Sequence, residues 1–246
     1  MKRIFLQLAA VGIAVALPFV PVRAAEFTPQ QRSEIIQILR DALKQDPSIL
    51  RDAVNALQAE DTNRQQAATR AAISAARDTL VDAADPVGGN PKGDATIVEF
   101  FDTRCPYCRK LEPTMAELLA RDRGVRLVYK DMPILGPASV LGSKALLAAH
   151  RQGAYEKLRD AVMALPPDTT KPMIQEAAQK NGLDWKRLER DMDDPAIAAR
   201  LQANVKLAHE LGIEGTPAMV IGTTLIPGAM DVAELRKVVA TARSAK

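Results

Sequence analysis

An α/β fold preceded by an all-α N-terminal segment is what this sequence predicts. Three observations carry that reading. First, two short apolar runs, Thr96 to Phe101 and Val125 to Tyr129, have strand character, and Leu111, Met115, Leu118 and Leu119 stand between them at helical spacing. Second, the stretch from Ser139 to about Leu211 is helical in pattern throughout. Third, everything from Glu26 to Val81 reads as helix, with no strand signal.

The first 24 residues have the pattern of a secretory leader. Met1-Lys2-Arg3 is the charged start, Ile4 to Val20 the apolar stretch, and Val22-Arg23-Ala24 the small-residue cleavage site near Ala24. Gln7, Gly12 and Pro18 interrupt the apolar stretch, which is short for a membrane span. The mature chain is therefore expected to be exported, into a compartment that permits disulfides. The chain has 246 residues, 47% of them hydrophobic, enough for a substantial core. A formal charge of +3 with no concentrated basic run argues against nucleic acid as a partner.

Residues 25–82 form the expected N-terminal helical segment. Thr28-Pro29 is a cap followed by proline at the first helical position, and Ile35, Ile36, Leu39 and Leu43 then share one face. Asp46-Pro47 repeats the signal before Ile49, Leu50, Ala53, Val54 and Leu57. A third segment, Thr62 to Val81, is rich in alanine and polar residues. Short helices like these bury little by themselves and need a partner surface. That surface is either the rest of the chain or the same segment in another copy, since exposed apolar faces mark interfaces.

Residues 83–246 form the expected second domain. The glycine- and proline-rich stretch Asp85 to Asp94 reads as a linker or entry loop. The strand holding Glu99 follows, then the helix after Cys105, in which Pro113 predicts a kink. A helical insertion spans about 138–211. It is broken at Pro166-Pro167-Asp168, and Asp184 caps the segment that holds Trp185. After it, Ala218 to Ile221 and Thr224 to Ile226 can pair as a hairpin through Gly222-Thr223, and Asp231 caps a last helix.

Cys105 and Cys108 are the only cysteines and flank Pro106 and Tyr107 at a strand-to-helix junction. Free N–H groups and the positive end of the helix dipole stabilise a thiolate there, and the thiolate is the reactive species. A structural staple normally closes a long loop, which this pair does not. Zinc needs about four ligands, and only His150 and His209 are available besides the thiols. Both histidines read as ordinary helix residues. A redox dithiol is the favoured reading, with no cofactor and no resident metal expected.

The Glu99-Phe100-Phe101-Asp102 lead, the Cys105-Pro106-Tyr107-Cys108 pair and Gly215-Thr216-Pro217 together resemble the thioredoxin superfamily. The fold class is thus a thioredoxin-like α/β fold with a helical insertion, which resembles the DsbA-like branch. The N-terminal helices and the Glu-Phe-Phe-Asp lead resemble more narrowly the ScsC-type (suppressor of copper sensitivity) proteins of bacterial envelopes. The resemblance implies a periplasmic location, exported clients carrying thiols or disulfides, and a membrane redox partner that resets the dithiol. It implies a cis Thr216–Pro217 bond facing the dithiol, with backbone there pairing to an extended client segment, and Pro106, Tyr107 and Thr216 at the client. It also places Glu99 under the site as an acid that relays protons. A surface acid at a strand edge is the alternative.

Cys105, first in the helix, is expected to be the nucleophile and Cys108 the resolving thiol. Thr216 before the proline resembles the isomerase branch, whereas the oxidases resembled here tend to carry valine. With self-association through residues 25–82, this points to an oligomeric isomerase or reductase. The alternatives are a monomeric oxidase and a Cu(I)-binding protein that uses the thiols and some of the eight methionines. Met115 and Met219 fall in core-like positions, against copper.

Overall fold

The computed structural model describes residues 27–244. The expected leader and its cleavage site lie outside the described residues. The chain divides into two compact units, with the division between Ala59 and Glu60.

In the first unit, helix α1 (Pro29–Gln45) begins as its sequence signals. The Gln31 N–H donates to Thr28 Oγ1 at 3.2 Å, and the Thr28 N–H donates to Gln31 Oε1 at 2.9 Å, a reciprocal capping box. Asp46 then accepts from the Ser48 N–H at 3.0 Å, and helix α2 (Ser48–Ala75) starts there. The second and third segments expected from the sequence are one helix. Residues 58–61 contain neither glycine nor proline to stop it, and Arg64 pairs with Glu60 at 2.6 Å one turn away.

The second unit is built on a five-stranded sheet in the order β1-β3-β2-β4-β5. Its strands are β1 (Val87–Gly89), β2 (Ala95–Phe101), β3 (Val125–Asp131), β4 (Ala218–Ile221) and β5 (Thr224–Pro227). β2 and β3 run parallel, joined by helix α4 (Pro106–Arg121), as a parallel pair requires. β4 is antiparallel to β2 and forms the expected hairpin with β5. The loop expected over Asp85 to Asp94 contains β1, antiparallel to β3. Three residues including two glycines show no alternation, so the sequence hides this edge strand.

Side-chain alternation divides the sheet between two cores. One face carries Ile97, Phe101, Leu127, Tyr129, Met219 and Ile221. It is covered by α4, through Leu111, Met115 and Leu118, and by helix α10 (Val232–Ser244), through Leu235 and Val239. The other carries Val98, Phe100, Val128 and Val220 against Leu207 and Ala208 of helix α9 (Pro195–Glu210) and its cap residue Leu211, with Ile73 and Leu80. Helices α5 (Pro137–His150), α6 (Tyr155–Met163), α7 (Lys171–Lys180) and α8 (Trp185–Met192) make up the rest of the stretch between β3 and β4. Asp184 caps α8 by accepting from the Arg187 N–H at 3.1 Å. α4 continues through Pro113.

A buried ion cluster ties the segment after helix α3 (Arg77–Leu80) to this core. Lys130, 1% exposed, donates to Asp85 at 2.6 Å and to the Thr79 carbonyl at 2.7 Å. Arg200 of α9 pairs with both Asp82 and Asp85. Among the described residues no helix is long and apolar enough to cross a membrane.

Candidate active site

Cys105 is the N-cap of α4, with extended backbone (φ −66°, ψ 119°), and Pro106 follows at the first helical position. Its sulfur stands where a capping oxygen normally does and accepts from the Cys108 N–H at 3.4 Å. The Cys108 thiol beside it and the N–H groups of Cys108 and Tyr107 hold the Cys105 pKa down at about 5, against the opposing effect of burial. For Cys108 the shift is reversed. Its interaction with Cys105 and its own burial push it far above the ordinary thiol range. The helix start thus makes one good thiolate and one reluctant one, out of two free cysteines.

The Thr216–Pro217 bond is cis. It brings the Thr216 carbonyl to the dithiol, where the Cys105 thiol donates to it at 3.1 Å. The Pro217 carbonyl accepts from the Gly228 N–H at 2.8 Å, which ties the strand entry to the turn after β5. Tyr107 is 64% exposed and, with Lys110, Thr114, Thr216, Pro217 and Met230, lines a cleft of about 600 Å³ beside the dithiol. The structure therefore brings Cys105, Tyr107 and Cys108 together with Thr216 and Pro217, two groups that lie far apart in sequence.

Glu99 is fully buried, so the surface alternative for it does not hold. It sits on the face of β2 shared with Ile97 and Phe101, beneath α4. Its partner is Arg159 of α6, whose Nη2 donates to Oε2 at 3.3 Å. Burial raises the Glu99 pKa to about 7, with Arg159 opposing and Glu112 adding to the rise.

Several residues of the site were not foreseen. The buried carboxylate of Asp102 accepts from the Arg104 N–H at 2.8 Å and from the N–H groups of Ile134 and Leu135 at 2.8 and 3.0 Å, which fixes the approach to Cys105. Arg104 donates to the Pro167 carbonyl at 2.7 Å and to that of Leu135. Arg109 donates to the Thr103 carbonyl at 2.9 Å and to Leu165 at 2.5 Å. The two arginines that flank the dithiol thus anchor it to the loops around it. Only Asp102 had a local signal, an acid directly after an apolar strand and two residues before the N–H it caps. Apart from the Arg109 contact to Thr103, the arginines find their partners dozens of residues away.

Met115 and Met219 are core residues, 4% and 0% exposed. Among the described residues there is no group of three or more His, Cys, Asp or Glu side chains that could hold a metal ion.

Cys105 and Cys108 at a helix start, the cis proline opposite and the helical stretch between β3 and β4 together define a thioredoxin-fold thiol–disulfide exchange protein. The chain matches the DSBA-like thioredoxin domain over residues 96–240 and belongs to that family of oxidoreductases. It is 41% identical to a thioredoxin-like oxidoreductase from Silicibacter pomeroyi, covering 69% of this chain and 99% of that one, with a TM-score of 0.67. With ScsC of Proteus mirabilis it shares 30% identity over 89% of this chain and all of the other, at a TM-score of 0.66. The thiol:disulfide interchange protein DsbA of Burkholderia cepacia is 25% identical over 58% of this chain and 74% of its own length. A Na(+)/H(+) antiporter, NhaA 3 of Salinispora tropica, matches at 28% identity over 160 residues. The chain spans about a quarter of the antiporter's length.

Proposed function

We propose that the protein is an exported, self-associating thiol–disulfide isomerase or reductase acting on client proteins, with Cys105 as nucleophile and Cys108 as resolving thiol. One observation carries the exchange chemistry of this reading: Cys105 caps α4 beside the cis Thr216–Pro217 bond with its pKa held at about 5, so it is a thiolate at neutral pH. The Cys105 thiolate attacks one sulfur of a client disulfide and the other client sulfur leaves as a thiolate. Cys108 then loses its proton, its sulfur bonds to Cys105, and the client's second sulfur leaves as a thiolate. Two electrons pass from the dithiol to the client. In isomerisation, a client thiolate attacks the mixed disulfide instead and Cys105 is released unchanged.

The cleft lined by Tyr107 and Thr216 suits an extended client segment laid beside the strand entry at Pro217. Glu99, buried beneath α4, serves as the proton acceptor for Cys108. The leader pattern supports export to the periplasm, where a membrane redox partner resets the dithiol. Self-association rests on the first unit, where Ile36, Ile38, Leu39, Leu50 and Leu57 are each at least half exposed.

The test pairs scrambled-ribonuclease rescue with the mass of the mature protein in solution. Rescue by an oligomer is the expected result. A monomer that oxidises reduced clients but cannot rescue scrambled ones overturns it. That monomeric oxidase is the second reading, and the depressed Cys105 pKa favours it specifically, because a stabilised thiolate makes the disulfide form a stronger oxidant.

A further inference from the structure

The cleft beside the dithiol does not end at the cis proline. A second cavity, of about 280 Å³, shares Thr216, Pro217 and Gly228 with it and continues between residues 212–215 and Leu225 of β5. The two form one groove across the Thr216–Pro217 bond, over the carbonyl that Cys105 contacts at 3.1 Å. Lys110, Asp231 and Glu214 are the charged side chains that line it. Asp231 is committed elsewhere. It accepts from the Glu234 N–H at 2.8 Å as the cap of α10, where its charge faces the positive end of the helix. Arg109, beside Lys110, is likewise taken up by the Thr103 and Leu165 carbonyls. Lys110 and Glu214 are exposed and, among the described residues, have no hydrogen-bond or ion-pair partner. Lys110 lines only the first cavity and Glu214 only the second, so they stand on opposite sides of the residues that the cavities share. An exposed charge is ordinarily no more than a solvated one. These two are set on either side of the cis proline, on the path of an extended client.

We propose that Lys110 and Glu214 are specificity-determining residues that give the client groove a polarity. Together they favour an extended client segment with an acidic side chain on the Lys110 side of its cysteine and a basic one on the Glu214 side. This rests on the exchange reaction and the client cleft proposed above. The client is held at its cysteine while that sulfur is bonded to Cys105. Side chains two or three residues from it then lie within about 10 Å along an extended chain, inside the screening length of dilute salt. The reverse order of charges sets like against like, which penalises the wrong orientation as the right one is rewarded. The bonds formed and broken at Cys105 and Cys108 are unchanged. What the two charges select is which client cysteine is presented, and in which orientation.

The experiment uses the full mature chain, reduced, and end-capped synthetic peptides supplied as symmetric disulfides. One peptide is Glu-Glu-Ser-Cys-Ser-Lys-Lys and the other Lys-Lys-Ser-Cys-Ser-Glu-Glu, so composition and net charge are equal and only the order differs. A third, with serine at the charged positions, is the reference for each protein. Cys105 attacks one peptide sulfur and the other peptide leaves as a thiolate; Cys108 then displaces the second. Quenched flow at pH 7, with mass spectrometry of the alkylated peptide, gives the rate at about 20 mM and about 500 mM sodium chloride. The expected result is that one order reacts about threefold or more faster than the other at low salt, relative to the serine peptide, and that high salt removes the difference. The double swap K110E/E214K prefers the opposite order, and E214Q alone shows a smaller preference than wild type. Equal rates for the two orders in the wild type at low salt, or a preference that keeps its direction in the double swap, overturns the proposal. Failure of the reduced wild type to react with the serine peptide at all overturns the underlying exchange reading instead.

Discussion

The two cysteines carry opposite electrostatic burdens, and pH separates them. An ordinary Cys105 thiol has a pKa of 9.0, and here it is lowered to about 5. A depressed pKa stabilises the reduced protein fully above pH 9, and that gain is lost as the pH falls through 5. The reduced form is therefore expected to melt above the oxidised form at pH 7, with the gap closing toward pH 5. A gap that does not change with pH contradicts the assignment of the thiolate to Cys105. Glu99 acts in the other direction. Burial raises its pKa from 4.5 to about 7, so the stability tied to its proton is present below pH 4.5 and lost as the pH rises through 7. Asp131, also raised to about 7 chiefly by burial, contributes in the same window. In the oxidised protein, which has no thiol to titrate, E99Q is expected to lose part of the decline in melting temperature between pH 4.5 and 7. The remainder belongs to Asp131. At Thr216 the backbone carbonyl meets Cys105, so Thr216→Val keeps that contact but removes a side chain that helps hold the Cys105 pKa down. The expected result is a raised Cys105 pKa and altered scrambled-ribonuclease rescue; an unchanged Cys105 titration removes the Thr216 side chain from the site's electrostatics.

At the scale of elements, what was legible in the sequence is what local chemistry dictates. The caps at Thr28, Asp184 and Asp231, the β4–β5 hairpin and the dithiol helix all have signals within a few residues of themselves. The unity of α2 was hidden because a polar, alanine-rich stretch carries no apolar period to follow, and β1 because it is three residues long. The buried charges were hidden for another reason. Lys130, Arg159 and Arg200 look like surface residues until partners 45, 60 and 115 residues away are brought to them. The Lys130–Asp85 pair gives this a measurable consequence. D85A leaves Lys130 buried without its counter-charge, in the cluster that ties the segment after α3 to β3 and α9. It is expected to cost about 3–5 kcal/mol in urea unfolding. A loss below about 1 kcal/mol, the range of exposed pairs, contradicts a structural role for that pair.

For the whole molecule the open choice is the direction of electron flow, and it turns on the first unit rather than on the dithiol. A thiolate of pKa about 5 favours oxidation, but it also makes Cys105 the good leaving group that an isomerase needs, so the dithiol alone does not decide the role. The two roles differ in geometry. An isomerase gains when several reduced sites meet one misfolded client, since engagement of a second site is then intramolecular and its effective concentration high. An oxidase gains nothing from such grouping. α1 has no buried residue, yet it carries Ile35, Ile36, Ile38, Leu39 and Leu43. Ile36, Leu39 and Leu43 all lie in the first unit, so their substitution to glutamate changes no residue of the unit that holds Cys105. The expected outcome is a fall to monomer mass in solution, with Cys105 alkylation kinetics unchanged and scrambled-ribonuclease rescue reduced several-fold. Oxidation of reduced ribonuclease should be retained. Full rescue by a verified monomer removes the oligomer from the mechanism and leaves isomerisation, if present, to a single site. An unchanged mass places the apolar residues of α1 outside any self-association.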